Sequence, residues 1–491
     1  MKTFFAAVFL FSMSVQAAEI SREQVLESME KATKFMMSIA TEGGYLWKYS
    51  SDLSVRAGEN MASPTQIWIQ TPGTPAMGQA FLTAYGATKD SLFLEAARQA
   101  AEALVKCQLP SGGWYYAGDF NPDKPNIDGL RSHAGDQAAA KNPQAANPLY
   151  LIGTCYDDKT TQGAIRFLMD YVDAAKDSGN PRDRSIGEAL NKALEGMLRA
   201  QYPNGAWPQF YDGKPRNEAD FPVKPASMPR DYPRVSPHVD YRSYYTLNDS
   251  SLSNCIQVMF EAHRRYGDPV YLESAKRGLD FVLLAQLPEP QAGWAQQYTP
   301  DMVPAWGRIF EPPSVVSNES RDVMELLMEM YLKTDDRRYF DAVGRAAAWL
   351  RQSSLAPDRW ARFYELNSNK PIYCTPDGTV IYDLEGARPG YNWQNDFHIP
   401  ACLARYDAIK KMGREAWLAE KNSATKPPEK AADLEKKAAA ILEQLDGQGR
   451  WIVKDRFRKN LPDQDMISTE AFIDNMRVLS KYLELTQQAN P

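Results

Sequence analysis

Apolar residues recur three and four apart, with Ala, Leu, Glu, Lys and Arg between them, over 22–40, 90–107, 185–201, 249–266, 270–286, 319–333, 337–352, 430–445 and 468–486. That spacing lays an apolar stripe along one face of a helix. No comparable set of two-residue alternations runs along the chain, so an all-α protein is expected. Proline and glycine gather between these stretches, at 108–130, 202–235, 287–314 and 368–393. They mark long loops, which in a compact domain usually carry function.

The helical stretches end alike. Gln108 leads to Trp114, Gln201 to Trp207, Gln286 to Trp294, Gln352 to Trp360 and Gln444 to Trp451, while Glu42-Gly-Gly-Tyr-Leu-Trp47 is a degenerate case without the glutamine. Successive tryptophans lie between 66 and 93 residues apart, room for two helices and their loops. Five or six such units predict an α/α toroid, an incomplete or complete barrel of helical hairpins with long loops forming a cleft at one rim. Proline and glycine stop each helix, and the tryptophan packs down on the hairpin end.

Composition narrows the setting. Lys2, the apolar run Phe4–Val15 and the small residues of Val15-Gln16-Ala17-Ala18 read as a signal peptide over 1–18, hence a secreted or periplasmic protein with one domain over 19–491. No later run approaches about 18 apolar residues, so no membrane span is expected. A net charge of −6 argues against nucleic acid or an anionic membrane as partner, and a monomer is expected. Five scattered cysteines without a CxxC pair read as core residues, and four histidines without HExxH argue against a zinc site. The run 415–440, rich in Lys, Glu and Ala, reads as an exposed connection. Eleven tryptophans and twenty-five tyrosines point toward carbohydrate, whose C–H faces stack on rings.

Three segments carry candidate chemistry. In the first, Trp207-Pro-Gln209-Phe-Tyr211 precedes Asn248-Asp249, which reads either as a helix cap or as hard oxygen ligands for calcium. In the second, Trp306-Gly-Arg308-Ile-Phe-Glu311-Pro-Pro-Ser314 holds Glu311 in an extended setting, and Arg308 either braces it or faces an anionic ligand. Glu319 reads as support for its helix N-terminus. The third holds Arg362-Phe-Tyr-Glu365, Lys370, Asp377-Gly378, Arg388 and Tyr391, cations and aromatics suited to a polyanionic sugar or to a solvated surface.

Taken together these strings resemble the pectate lyases of polysaccharide lyase family 10, over roughly 190–400 and loosely over 80–115. The resemblance implies a helical toroid acting on polygalacturonate, an acidic polysaccharide, with calcium as cofactor. It also implies an Asp-Asn pair in the first section, where Pro75-Ala-Met-Gly78 has neither residue, and a base arginine in Gly-Arg-Asp-Gly, where this chain reads Thr375-Pro376-Asp377-Gly378.

β-Elimination from a uronate needs its carboxylate neutralised, a base for the C5 hydrogen and a stabiliser for the developing enolate. Asn248 and Asp249 are the expected metal ligands, and Trp207, Gln209, Tyr211, Trp306, Arg308, Glu311, Lys370 and Tyr391 the expected substrate contacts. Arg362 and Arg388 are the expected catalytic residues, with Arg362 as base; Lys370 and Tyr391 are alternatives. Two other functions fit the same strings: a glycoside hydrolase using Asp240, Asp249 or Glu311, and an acidic-polysaccharide-binding protein that has lost its base.

Overall fold

The protein, here a computed structural model, is described over residues 20–121, 153–423, 431–458 and 461–489. The expected signal peptide at 1–18 and the Lys426–Lys430 part of the exposed connection lie outside these residues. Helices follow in the order α1 (Arg22–Ile39), α2 (Thr74–Thr88), α3 (Ser91–Cys107), α4 (Thr160–Ala175), α5 (Asp183–Ala200), α6 (Ser251–Tyr266) and α7 (Pro269–Leu284). They continue with α8 (Ser317–Thr334), α9 (Arg337–Gln352), α10 (Ile399–Met412), α11 (Arg414–Ser423), α12 (Ala431–Glu443) and α13 (Thr469–Ala489).

Hairpin partners pack together, α2 on α3, α4 on α5, α6 on α7 and α8 on α9. Neighbouring hairpins join through α2 on α4, α4 on α6 and α8 on α10, and α13 returns to pack on both α1 and α2. The hairpins therefore build the expected α/α toroid, with the last hairpin seated against the first. That seat is reinforced by an antiparallel ladder pairing Lys48 with Ser468 and by the Tyr482 hydroxyl, which donates to Ile20 O at 2.9 Å. One apolar core runs through the hairpins from Val25 to Leu483. No described helix is long and apolar enough to cross a membrane.

Four helices, α2, α4, α10 and α11, occupy stretches where the periodicity predicts none. For α2 the reason is its place in the inner wall: Thr74, Pro75, Met77, Gly78, Ala80, Phe81, Leu82, Ala84 and Ala87 are all buried, so no polar face remains to make a stripe. The rim loops also carry strands of two to five residues, too short to leave an alternating pattern.

The repeated loop has a clear physical role. The indole N–H of Trp114, Trp207, Trp294, Trp360 and Trp451 donates to Leu104, Met197, Val282, Leu350 and Ile441 O, at 2.7–2.9 Å, satisfying a carbonyl near the end of the preceding helix. The glutamine amide ties each loop to the next hairpin: Gln108 donates to Gly112 O and Ala189 O, Gln201 to Gly205 O and Ser274 O, and Gln286 to Ala292 O and Ala342 O. At Gly112 and Gly205 (φ +109° and +96°) a Cβ would lie 2.6 and 2.0 Å from a carbonyl oxygen of that next helix, which leaves room only for glycine. Gln352 and Gln444 are exposed, so the glutamine repeat is narrower than the tryptophan one. Trp47 differs too, its indole donating to Gln70 O at 2.9 Å.

Candidate active site

Three helices on the rim begin with the same backbone device, two successive non-glycine residues in the left-handed region. These are Asp158 and Lys159 before α4, Asp249 and Ser250 before α6, and Phe397 and His398 before α10. Such residues occupy a sparsely allowed region and tend to cluster at functional sites. Here the turn lifts a side chain onto the rim at the head of an inner helix.

In two adjacent repeats that side chain is an acid. One carboxylate oxygen from each of Asp157, Asp158 and Asp249 lies within 4.8 Å of the others. Asp157 is buried and accepts from the Tyr116 hydroxyl (2.8 Å), the Gln209 amide (2.6 Å) and the Asp158 backbone N–H (3.1 Å). Asp158 accepts from the Gln70 amide at 2.8 Å, and Asp249 from the Asn248 amide at 2.6 Å. Burial, and then the neighbouring charges, push Asp157 up to about 6 and Asp158 up to about 7; burial raises Asp249 as well. The cluster thus lacks positive charge of its own.

The residue preceding α6 is Ser250, whose side chain makes no cap, so Asp249 does not serve as the helix cap. Asn248 orients Asp249 within the cluster. Asp157 and Asp158 escaped the sequence reading; their signal is an acidic pair one repeat before Asn248-Asp249. Glu319 is buried with Asn318 donating to its Oε1 at 2.8 Å and the Asp249 backbone also bonded to its carboxylate, while its Oε2 has no partner.

The opposing wall is cationic and aromatic. Glu311, 2% exposed, accepts from the Arg308 backbone N–H (3.0 Å), the Arg308 guanidinium and the Tyr391 hydroxyl (3.0 Å). Burial opposes the charge on both Arg308 and Glu311, but their mutual attraction outweighs it: arginine is held above and glutamate below its ordinary value. The Phe310 ring takes Arg388 at 3.9 Å and Arg308 at 5.0 Å; Tyr391 takes Arg362 at 5.0 Å and Arg308 at 6.0 Å. Arg362 also lies 5.0 Å from Phe397. The Arg308 charge acts on Asp157, Asp158 and Asp249, and that of Arg362 on Asp249. Arg308 and Arg362 are therefore neighbours of Asp249, and Arg388 joins them through the Phe310 ring that it shares with Arg308.

Several expected substrate contacts are placed elsewhere. Trp207 is 0% exposed and plugs its hairpin, and Tyr211 is buried beneath Arg216. Trp306 is buried with its indole on Pro233 O at 3.1 Å. These rings have no free face for a sugar. Gln209 is buried and supports Asp157, and Glu311 braces Arg308. Lys370 is exposed but stands over Tyr382, at 5.8 Å, while Tyr391 is half-buried between arginines. Pro376 sits in a turn closed by Gly378 N–H on Thr375 O at 3.1 Å. Asp240, a candidate for the hydrolase reading, is tied to Arg242 at 2.9 Å.

A search of curated proteins returns no match. Among solved structures, the chain is similar to a point mutant of the family 10 polysaccharide lyase from Cellvibrio cellulosa in complex with trigalacturonic acid, at 21% identity, 69% of this chain, 98% of that one and TM-score 0.43. It is also similar to the GH76 α-mannanase of Bacteroides thetaiotaomicron, at 12% identity, 95% and 97% coverage and TM-score 0.40. A third is an unsaturated glucuronyl hydrolase from Streptococcus agalactiae, at 10% identity, 94% and 93% coverage and TM-score 0.34. The pectic acid lyase family pattern matches residues 117–359 and 352–399, more than half of the chain and including Asp157, Asp158, Asp249 and all three arginines. The chain belongs to the pectic acid lyase family and is a polysaccharide lyase of the pectate lyase type.

Proposed function

We propose that this lyase cleaves polygalacturonate by β-elimination between the aspartate cluster and the three arginines, with calcium as its cation. The observation that carries the reading is the meeting of three carboxylate oxygens within 4.8 Å with Arg308, whose charge acts on all three. The donor set fits calcium: hard oxygens only, with the buried Gln209 Oε1 beside Asp157 also lacking a partner. When bound, the cation would neutralise the uronate carboxylate and favour the charge that develops on it.

The chain's own residues supply the rest. The Arg362 guanidinium sits over Tyr391 and Phe397 and that of Arg388 over Phe310, and with Arg362 Nε donating to Asn392 O at 3.0 Å the terminal N–H groups are left for uronate carboxylates. Among the described residues neither arginine has a carboxylate within ion-pair distance, unlike Arg308. We assign the C5 proton to Arg308, where the sequence pattern points to Arg362, because among the three arginines it is the one whose charge acts on all three aspartates. Its hold on that proton depends on the aspartates and Glu311, so any loss of negative charge in the cluster weakens it. The C5–H electron pair becomes the C4=C5 double bond, the C4–O bond breaks, and the departing oxygen takes a proton. Export through residues 1–18 would bring the enzyme to such a polymer.

Purified protein incubated with polygalacturonate and calcium is expected to release unsaturated products, seen as a rise in ultraviolet absorbance, and a chelator to stop it. Absence of unsaturation from polygalacturonate and other polyuronates in calcium would overturn the reading. New reducing ends without unsaturation would indicate hydrolysis instead.

A further inference from the structure

The family pattern begins at residue 117, yet two donors that hold the aspartate cluster come from before it. They are the Tyr116 hydroxyl on Asp157 and the Gln70 amide on Asp158. We infer that Gln70, oriented by Trp68, is a positioning residue of the cation site, so that the first repeat completes a site whose acids come from the next two. This rests on the calcium reading above.

The amide orientation follows from chemistry. The indole N–H of Trp68 can only donate, and it donates to Gln70 Oε1 at 3.0 Å. Nε2 is therefore the atom turned to Asp158 Oδ2, at 2.8 Å. The Gln70 backbone is pinned as well, its carbonyl accepting from the Trp47 indole at 2.9 Å. Gln70 is 7% exposed and Trp68 is fully buried, so the pair has little freedom to turn. Trp68 serves a second neighbour. A Cβ on Gly58 would lie 2.0 Å from its ring, so the backbone lies flat against the indole and brings the next residue, Glu59, close enough for its charge to act on Asp158. With one Asp158 oxygen fixed by Gln70, the carboxylate has one orientation in which to meet Asp157 and Asp249. Partners in this position commonly change metal affinity by about 10–100-fold when removed.

The test is a calcium titration of the full chain by calorimetry, with terbium luminescence as a second readout, alongside the melting temperature in chelator. Gln70→Ala is expected to bind calcium about tenfold more weakly than wild type. Its melting temperature in chelator should fall by a few degrees at most, since the Trp68 indole loses its acceptor, and saturating calcium should restore wild-type kcat. Gln70→Met, which keeps the length and removes the donor, should behave the same way and serves if the alanine variant folds poorly. Affinity within twofold of wild type in the folded variant overturns the inference. So does weakened affinity whose kcat does not recover at saturation, because positioning of the cation is then not what was lost. A wild-type chain that binds neither calcium nor terbium sinks the calcium reading itself, a separate result.

Discussion

The starts of α4 and α10 share one backbone and end in opposite chemistry. Both place two left-handed residues ahead of an inner helix, at Asp158-Lys159 and at Phe397-His398. Before α4 the raised residue is an acid that meets Asp157 and, from the neighbouring repeat, Asp249. Before α10 it is a buried ring that backs Arg362 at 5.0 Å, with its carbonyl accepting from Arg321 at 3.0 Å. The repeat supplies the platform, and one side chain per platform decides whether that part of the rim is lined by acids or by arginine. A polyuronate with its counter-cation needs both kinds of surface facing each other.

Breaking the acidic side should have the largest effect. Asp249→Ala or Asp157→Ala is expected to abolish measurable calcium binding and to lower kcat/KM on polygalacturonate by on the order of a thousandfold. Phe397→Ala, on the equivalent platform, should raise KM by about tenfold with kcat nearly unchanged, because it loosens a substrate-binding arginine and leaves the acids alone. Steady-state kinetics by ultraviolet absorbance separates the two. Equal losses for both variants would mean that the platforms do not divide the work.

The three arginines sharpen the contrast within the cationic side. Arg308→Lys is expected to cost about a hundredfold in kcat, since an ammonium cannot pair with Glu311 and at the same time cover Phe310 and Tyr391 as the broad guanidinium does. Arg362→Lys should raise KM by about tenfold and leave kcat within a few-fold. Activity with saturating calcium should climb as pH rises above 7, because Glu311 holds Arg308 protonated in the free protein. If Arg362→Lys were the variant that lost kcat, proton transfer would belong to Arg362.

How far the sequence disclosed this site depended on packing. Trp114, Trp207, Trp294, Trp360 and Trp451 were visible as a repeat because each meets the same requirement, a carbonyl near a helix end. The same uniformity hid their role: a buried plug and a sugar platform look alike in sequence, and Trp207 and Trp306 proved to be buried. Asp249 was readable because α6 shows a clean amphipathic stripe just after it. Asp157 and Asp158 precede α4, packed between α2, α5 and α6, and with no periodic stretch beginning there nothing marked the pair. The arginines were legible as loop cations, whereas their convergence depends on Phe310 and Tyr391, rings that share an edge contact at 4.9 Å across eighty residues of chain.

The smallest expected effect tests whether the acidic platforms store repulsion that only a cation relieves. Burial and mutual repulsion push Asp157 and Asp158 up to about 6 and about 7 in the fold, above the ordinary aspartate value, so the folded chain binds more protons than the unfolded one across that range. Their contribution to stability is complete below the ordinary carboxylate range and is lost as pH rises through 6 and 7. In chelator the melting temperature should therefore fall from pH 5 to pH 8 through these groups, and calcium should raise it more at pH 8, where no proton competes. Asp158→Asn removes one charge and keeps the shape. In chelator at pH 8 it should melt about 1–3 °C above wild type while losing the calcium response, as differential scanning calorimetry can follow. A lower melting temperature for Asp158→Asn in chelator would show that Asp158 is held by Gln70 more strongly than it is repelled by its neighbours, and the acidic side would then be a braced structural cluster with no need of an ion.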